Sequence, residues 1–247
     1  MDQIEETNRA EPPMANLLRI GATDFEGYLK IGKILFDQMH ALFERYDCVP
    51  EADMRVLDFG CGIGRVTFPV AEAYDAQIFA CDVDHTAIEY IKENSQKIDA
   101  RVSKYDPPLP FEDNFFDLVY ANSVWTHFPQ DAEAFWLKEM ARITKQDGIL
   151  FLSVASYDTL KVHHIRGIDT HISNDVLDEE GFIFVGNKAH DKNNPVKWPG
   201  VTHDYGLTRH SHQYVHRVWQ KYFDIVDIVP AGSGKQDVIV LRNKCEE

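Results

Sequence analysis

A glycine-rich turn between a buried strand and a helix is the feature that most constrains the fold of this chain. The apolar stretch that ends at Asp58 is typical of a parallel strand covered on both faces. Gly60, Gly62 and Gly64 follow at alternate positions, and without β-carbons they let a ligand approach the backbone closely. The apolar run 66–74 predicts a helix whose first N–H groups point back at the turn. Together these features predict a nucleotide-binding unit.

The spacing of the glycines separates this turn from a dinucleotide site, whose fingerprint is G-x-G-x-x-G. Here the pattern is G-x-G-x-G, and it is preceded by Asp58, a carboxylate that suits an ammonium group better than a pyrophosphate. S-adenosylmethionine carries an amino acid and a sulfonium in place of the phosphates. Asp82 lies 24 residues beyond Asp58 (82 − 58), after the apolar strand 77–81. An acid at this point can accept hydrogen bonds from the hydroxyls of a ribose.

A second segment, residues 109–127, carries a longer motif. It resembles the LPF-x-D-x-x-FD-x-V-x-x-x-SV-x-x-H segment of the class I S-adenosylmethionine-dependent methyltransferases. Residues 58–64 resemble motif I of the same family. A looser resemblance over residues 205–241 favours the stand-alone members that are linked to glycosyl transfer or natural-product assembly. We therefore interpret the chain as a small-molecule methyltransferase of this class.

The resemblance implies a fold, a cofactor and a set of site residues. The fold would be α/β, with a Rossmann-like, seven-stranded, mostly parallel sheet, an antiparallel last strand and helices on both faces. An N-terminal lid helix and an insertion after the fifth strand complete it. The implied cofactor is S-adenosylmethionine, with Asn122 and Ser123 beside the reactive methyl group. The residues implied to bind the cofactor are Tyr28, Asp58, Gly60, Cys61, Gly62, Arg65, Asp82, Val83, Tyr105, Asp106, Asn122, Ser123 and His127.

The alternation of strands and helices predicts one domain over residues 1–247, built on a parallel sheet. Residues 1–22 are predicted to form a flexible arm, and residues 156–208 an irregular insertion on the substrate side. Residues 23–47 keep the apolar spacing of a helix. This helix either folds over the cofactor as a lid or packs on the outside of the sheet. A closing pair of strands disfavours an ordinary dehydrogenase, whose second half would repeat the strand–helix–strand pattern.

Composition narrows the range of partners. The formal net charge of −15 argues against nucleic acid, because phosphate binding needs clustered Lys and Arg. No apolar stretch approaches the ~18 residues that span a bilayer, and the acidic N-terminal residues do not resemble a signal peptide. The four cysteines are scattered, which favours free thiols in a reducing compartment. We expect a cytoplasmic protein that acts on a small molecule, without a nucleic-acid or membrane partner.

Histidines are the candidates for catalysis, since a hydroxyl acceptor needs a base near neutral pH. Eight of the eleven histidines lie between residues 163 and 216. His210 and His212 are the predicted residues near the acceptor, together with the segment 203–205. His127 is a further candidate, and its alternative role is to shape the cofactor pocket.

A metal site is the alternative use of these histidines. Nitrogen and oxygen ligands could come from His163, His164, His210 and His212 with Asp169, Asp191 or Asp204. None of these residues has a dedicated metal-ligand spacing, so the prediction is that no metal binds.

The predicted function is transfer of a methyl group from S-adenosylmethionine to a small molecule, at a hydroxyl oxygen of a sugar or metabolite. N-methylation of a small amine is an alternative within the same class. A regulatory protein that binds S-adenosylmethionine without catalysis and an NAD(P)-dependent oxidoreductase are alternatives of other classes. The sequence does not indicate an oligomeric state.

Overall fold

A computed structural model describes residues 9–167, 170–186 and 205–244 of the chain. The helices are α1 Met14–Arg19, α2 Phe25–Arg45, α3 Thr67–Ala73, α4 His85–Asn94, α5 Gln130–Ile143, α6 Tyr157–Ile165, α7 Asn174–Glu180 and α8 His212–Trp219. The strands are β1 Arg55–Phe59, β2 Gln77–Asp82, β3 Ile98–Val102, β4 Phe116–Ala121, β5 Thr144–Val154, β6 Phe182–Val185, β7 Leu207–His210, β8 Phe223–Ser233 and β9 Gln236–Asn243.

Seven strands form one sheet in the order β3-β2-β1-β4-β5-β9-β8. Strands β1 to β5 run parallel, and β9 lies antiparallel between β5 and β8. The predicted fold class is therefore confirmed. The strand order changes direction between β1 and β4, and in open α/β sheets such a point leaves a crevice at the carboxyl ends of the strands where ligands bind.

Two apolar layers cover the two faces of the sheet. Val56 belongs to the layer under α2, α3 and α4, whereas its neighbour Leu57 belongs to the layer under α5 and α8. This alternation follows from the period of two residues in a strand. Trp136 of α5 and Trp219 of α8 are almost completely buried in the second layer. Both faces of the central strands are covered, which explains their nearly continuous apolar sequence.

Helix α2 is the helix predicted over residues 23–47. Its N-cap is Asp24, whose carboxylate accepts a hydrogen bond from Gly27 N at 2.7 Å. Phe43, completely buried, lies edge-on to Phe151 of the sheet with ring centroids 5.5 Å apart. Of the two alternatives for this helix, the structure shows packing on the sheet.

Residues 9–22, the described part of the predicted flexible arm, pack against the domain. Residues 9–22 contain α1, in which Asn16 and Leu17 are buried. Tyr90 OH donates a hydrogen bond to the Ala10 carbonyl at 2.6 Å, and Ala10 N donates to Asn94 Oδ1 at 2.8 Å. Leu17 supplies the buried apolar group that fixes this segment against the domain. Residues 1–8 lie outside the described residues.

The insertion contains α6, α7 and a separate antiparallel pair formed by β6 and β7. A small apolar cluster of Leu160, Ile172 and Leu177 holds its helices. Residues 168–169 and 187–204, which include His190, His203, Asp169, Asp191 and Asp204, lie outside the described residues.

Two further expectations concern membranes and thiols. Across residues 9–167, 170–186 and 205–244, no helix has the length and hydropathy that crossing a membrane requires. Cys48, Cys61 and Cys81 carry free thiols, and Cys245 lies outside the described residues.

Candidate functional site

A cavity of about 260 Å³ lies at the carboxyl edge of the sheet, where the strand order changes direction. Its walls come from α1, the turn after β1, the ends of β2, β3 and β4, and Tyr205. Most of the predicted cofactor residues line it, namely Asp58, Gly60, Cys61, Gly62, Arg65, Asp82, Val83, Tyr105, Asn122, Ser123 and His127. The structure thus brings residues together that are up to 69 positions apart in the chain (127 − 58).

The glycine turn is open toward the cavity at Gly62. Gly60 and Gly62 have φ angles of +70° and +53°, a region that favours glycine. A β-carbon on Gly60 would lie 2.4 Å from Val124 Cγ2, so this position excludes a side chain. Beside Gly62 the nearest atom to such a carbon would be 3.7 Å away, on Ile20. A ligand can therefore approach the backbone here.

Asp82 is a carboxylate held at the cavity wall by the backbone. Its Oδ2 accepts a hydrogen bond from Gly62 N and its Oδ1 from Asp84 N, each at 2.8 Å. Burial raises the pKa of Asp82 to about 6. At neutral pH the ionised side chain retains lone pairs for hydroxyl donors in the cavity.

Asp58 has a different role from Asp82. It is only 3% exposed, and Thr67 Oγ1 donates a hydrogen bond to its Oδ2 at 2.6 Å. Burial raises the pKa of Asp58 to about 7. The carboxyl group thus ties the end of β1 to the first residue of α3 and orders the turn between them.

Two residues predicted to bind the cofactor, Tyr28 and Asp106, do not line the cavity. Tyr28 is buried behind the turn, where its OH donates a hydrogen bond to the Ile63 carbonyl at 3.0 Å and burial raises its pKa. Asp106 is exposed and does not line the cavity, whereas its neighbour Tyr105 does. Lys104 of the same loop lines the cavity instead.

The sequence interpretation missed the contribution of α1. Asn16, Arg19 and Ile20 line the cavity. Arg19 forms an ion pair with Asp84, and Arg65 Nη1 donates to the Ile20 carbonyl at 3.1 Å. Helix α1 has only six residues, too few for helical periodicity to reveal it.

His127 is the predicted catalytic histidine that reaches the cavity. Its Nδ1 lies 2.8 Å from the Gly206 carbonyl oxygen, which can only accept, so Nδ1 carries a proton. The ring stacks on Tyr205 with centroids 4.5 Å apart and an interplanar angle of 14°. Burial raises the pKa of Tyr205, so its hydroxyl stays protonated at neutral pH.

His210 and His212, predicted to lie near the acceptor, do not line the cavity. His210 is completely buried, and its Nε2 lies 2.5 Å from Oε2 of Glu133, which is 1% exposed. His212 Nε2 lies 2.7 Å from Oδ2 of Asp237 at the start of β9. Both rings are used to join secondary-structure elements. Among the described residues, no group of three His, Cys, Asp or Glu could hold a metal ion.

Comparison with known proteins identifies the central region. Residues 57–152 match the family described as "Methyltransferase domain". The malonyl-[acyl-carrier protein] O-methyltransferase of Legionella pneumophila is 29% identical over 177 residues, which are 66% of this chain and 61% of that protein. The chain thus spans less than two thirds of the length of this curated relative.

Solved structures show the same fold at low sequence identity. The PH0226 protein of Pyrococcus horikoshii matches 89% of this chain and 96% of its own, with a TM-score of 0.61 and 18% identity. Magnesium protoporphyrin IX methyltransferase from Synechocystis, solved with bound S-adenosylhomocysteine, matches 93% of both chains with a TM-score of 0.59 and 16% identity. Residues 57–152 are thus similar to the methyltransferase-domain family, and the solved structures show that the chain shares the fold of S-adenosylmethionine-dependent methyltransferases.

Proposed function

We propose that the chain binds S-adenosylmethionine in this cavity and transfers its methyl group to a hydroxyl oxygen of a small molecule, a sugar or another metabolite. The observation that carries the proposal is Asp82, a carboxylate fixed by two backbone N–H groups beside an open glycine turn. Asp82 can accept hydrogen bonds from a ribose, and the glycine turn beside it exposes backbone to the rest of the ligand.

The adenosine part fits the ends of β2 and β3. Asp82 can accept hydrogen bonds from both ribose hydroxyls, because its two oxygens each keep a lone pair after binding the backbone. Val83, Tyr105 and Phe128 give apolar walls for a flat base, with the rings of Tyr105 and Phe128 centred 6.4 Å apart.

The amino-acid part fits the turn after β1 and α1. Arg19 and Arg65 line the cavity there and supply the positive charge that a carboxylate needs. The open backbone at Gly62 leaves room for the chain of the amino acid. When bound, this cofactor supplies a methyl group on a positively charged sulfur, which an acceptor lone pair can attack directly.

The protein therefore has to orient the acceptor, exclude water and receive a proton. Alignment of two reactants in a closed site can supply roughly 7–11 kcal/mol of the barrier. We assign proton removal to His127, because it lies on the cavity wall and its protonated Nδ1 makes Nε2 the basic nitrogen of the neutral ring.

An oxygen acceptor is supported by the name of one relative, and an acceptor other than a polyanion is supported by the charge of the chain. The Legionella relative is named an O-methyltransferase. The net charge of −15 disfavours a polyanionic acceptor such as nucleic acid.

The proposal is tested by methyl transfer from labelled S-adenosylmethionine to a set of hydroxylated sugars and metabolites, with the products analysed by mass spectrometry. We expect an O-methyl ether as the product. His127→Ala should lower kcat by about 10²–10⁴-fold. His216→Ala, which removes an exposed histidine of α8, is the control and should leave kcat unchanged. A product methylated on nitrogen, or full activity of His127→Ala, would contradict the proposal.

A further inference from the structure

We propose that the hairpin between β8 and β9 presets Asn122 and Ser123 as hydrogen-bond donors in the cavity, so that the acceptor group held there is an oxygen and not an amine. Gln236 is the positioning residue of this arrangement. The inference rests on the proposed function, since it concerns the acceptor of the same reaction.

A closed ring of hydrogen bonds joins the end of β4 to the hairpin. Ser123 N donates to Ser153 Oγ, Ser153 Oγ donates to Gln236 Oε1, and Gln236 Nε2 donates to Ser123 Oγ. Each of the three donor–acceptor distances is 2.7 Å. Ser123 has a φ of +67°, which is uncommon for a residue other than glycine, and the ring holds it there.

The ring determines which way each hydrogen points. Ser153 is 1% exposed and accepts from Ser123 N, so its hydroxyl hydrogen needs an acceptor, and Gln236 Oε1 is that acceptor. The opposite orientation of the Gln236 amide would leave this buried hydrogen without one. Ser123 Oγ consequently accepts from Gln236, and its own hydrogen is available to the cavity that Ser123 lines. Thr126 Oγ1, at 3.5 Å, is too far away for a good hydrogen bond.

Asn122 is oriented in the same sense by a second contact with the hairpin. Ser233, 4% exposed, donates from Oγ to Asn122 Oδ1 at 2.8 Å. The amide Nδ2 of Asn122 is then the group left for the cavity. The hairpin is itself anchored to α2, because Gly234 N donates to Gln38 Oε1 at 2.8 Å.

The position of these donors relates them to the acceptor. Asn122 and Ser123 follow β4, and β1 lies between β4 and β2, so a cofactor held by its ribose on Asp82 would leave them for the group beyond it in the same cavity. Its carboxylate is matched by the charges of Arg19 and Arg65. The neutral donors of Asn122 and Ser123 are therefore assigned to the acceptor.

Hydrogen-bond donors beside the reacting atom distinguish an oxygen acceptor from an amine acceptor, because the two atoms carry different numbers of lone pairs. An oxygen that accepts from Ser123 or Asn122 keeps a second lone pair to attack the methyl group. A neutral amine has one lone pair, and a donor that binds it blocks the attack. A protonated amine has none and meets only other donors. The site thus selects hydroxyl or carboxylate oxygens.

The test compares the binding of two cofactor analogues that differ at the reacting centre, and it does not require the methyl-accepting molecule to be known. S-adenosylhomocysteine has a neutral sulfur, whereas sinefungin carries a carbon with an ammonium group where the cofactor carries S⁺–CH₃. Isothermal titration gives the ratio of their dissociation constants. In the wild type we expect sinefungin to bind about tenfold more weakly, because its ammonium meets donors.

Gln236→Glu reverses the polarity of the ring with almost no change of shape. A carboxylate accepts from both Ser153 and Ser123, so the Ser123 hydrogen turns away from the cavity and leaves an acceptor oxygen there. The ratio should shift toward sinefungin by about tenfold. Gln38→Glu adds the same charge next to the same hairpin, keeps its bond to Gly234 N, and should leave the ratio unchanged.

Ser123→Ala removes the donor without any charge and should shift the ratio in the same direction, by about threefold. An unchanged ratio in both Gln236→Glu and Ser123→Ala, or equal shifts in Gln236→Glu and Gln38→Glu, would overturn the inference while S-adenosylhomocysteine still binds. Failure of the wild type to bind S-adenosylhomocysteine would instead overturn the proposed function, and the inference with it.

Discussion

The two halves of the carboxyl edge use ionisable residues in opposite ways. Near β1 and β2, Asp82 stands at the wall of the cavity and is held by backbone N–H groups. Near β7 and α8, His210 and His212 are bonded to Glu133 and Asp237, which are both almost completely buried. The first half presents a charged group to a ligand. In the second half, the histidines hold strands and helices together. We call the first the acid half and the second the histidine half.

The partner of an ionisable residue, rather than its type, therefore decides its role. A carboxylate bound by main-chain N–H groups still has lone pairs for a ligand. His210, bonded to the buried Glu133 and surrounded by aromatic rings, has no access to solvent. His210 lies 5.2 Å from Phe182 and 5.9 Å from Trp219, measured between ring centroids.

The largest expected effect is on stability, in the histidine half. Glu133 accepts hydrogen bonds from His210, from Tyr214 OH at 2.9 Å and from Trp219 Nε1 at 3.3 Å. Glu133→Ala leaves these donors without an acceptor, so the free energy of unfolding should fall by about 3–5 kcal/mol. Urea denaturation measures it. Asp131→Ala, which removes an exposed acid of the same helix, should cost less than about 1 kcal/mol and serves as the control. Equal losses in the two variants would remove the contrast between the halves.

The next effect is on binding, in the acid half. Asp82→Ala removes the carboxylate that we propose to accept two ribose hydrogen bonds, so the affinity for S-adenosylhomocysteine should fall by about 100-fold. Asp106→Ala removes an exposed acid that does not line the cavity and should leave the affinity unchanged. If the two substitutions weaken binding equally, the cavity is not where the ribose binds.

Asp58, near Asp82, should make the free energy of unfolding depend on pH. Burial raises its pKa to about 7, above the value of about 4 in an unfolded chain, so the folded protein binds the proton more tightly. The free energy of unfolding contributed by this group therefore decreases as pH rises from about 4 to about 7. Relative to Asp58→Asn, the wild type should lose up to about 1.4 kcal/mol per pH unit in that window. Urea denaturation of both proteins at several pH values measures the difference, and a flat difference would contradict the burial argument.

The smallest effect concerns Tyr28, which the structure places behind the turn. Tyr28→Phe removes the hydrogen bond to the Ile63 carbonyl and should cost about 1 kcal/mol of stability. Since the side chain does not line the cavity, the affinity for S-adenosylhomocysteine should change by less than about threefold. Thermal denaturation and isothermal titration check the two statements. A large loss of affinity with unchanged stability would instead indicate that Tyr28 contacts the ligand.

Much of the fold and of the cofactor side could be predicted from the sequence, because both depend on local patterns. The turn after β1 and the acid that ends β2 are fixed by alternating apolar residues, glycines and their spacing. Asp84, two residues after that acid, is the N-cap of α4, and its carboxylate accepts a hydrogen bond from Thr86 N at 3.0 Å.

The histidine half could not be predicted, because its geometry depends on contacts between distant residues. The partner of His210 is 77 positions away, and that of His212 is 25 positions away. The approach of α1 to the cavity depends on Arg65 and Asp84, which are far from it in the chain. The hairpin that orients Ser123 lies 113 positions beyond it, at Gln236. No periodicity or motif in one stretch encodes such pairs.

The most direct test of the account is isothermal titration of the purified wild type, freed of bound nucleoside, with S-adenosylhomocysteine and separately with NAD⁺. We expect saturable binding of one S-adenosylhomocysteine per chain and no binding of NAD⁺, because the glycine spacing differs from that of a dinucleotide site and the turn follows the carboxylate Asp58, which disfavours a pyrophosphate. Binding of NAD⁺ without binding of S-adenosylhomocysteine would contradict it and would make the cavity a dinucleotide site.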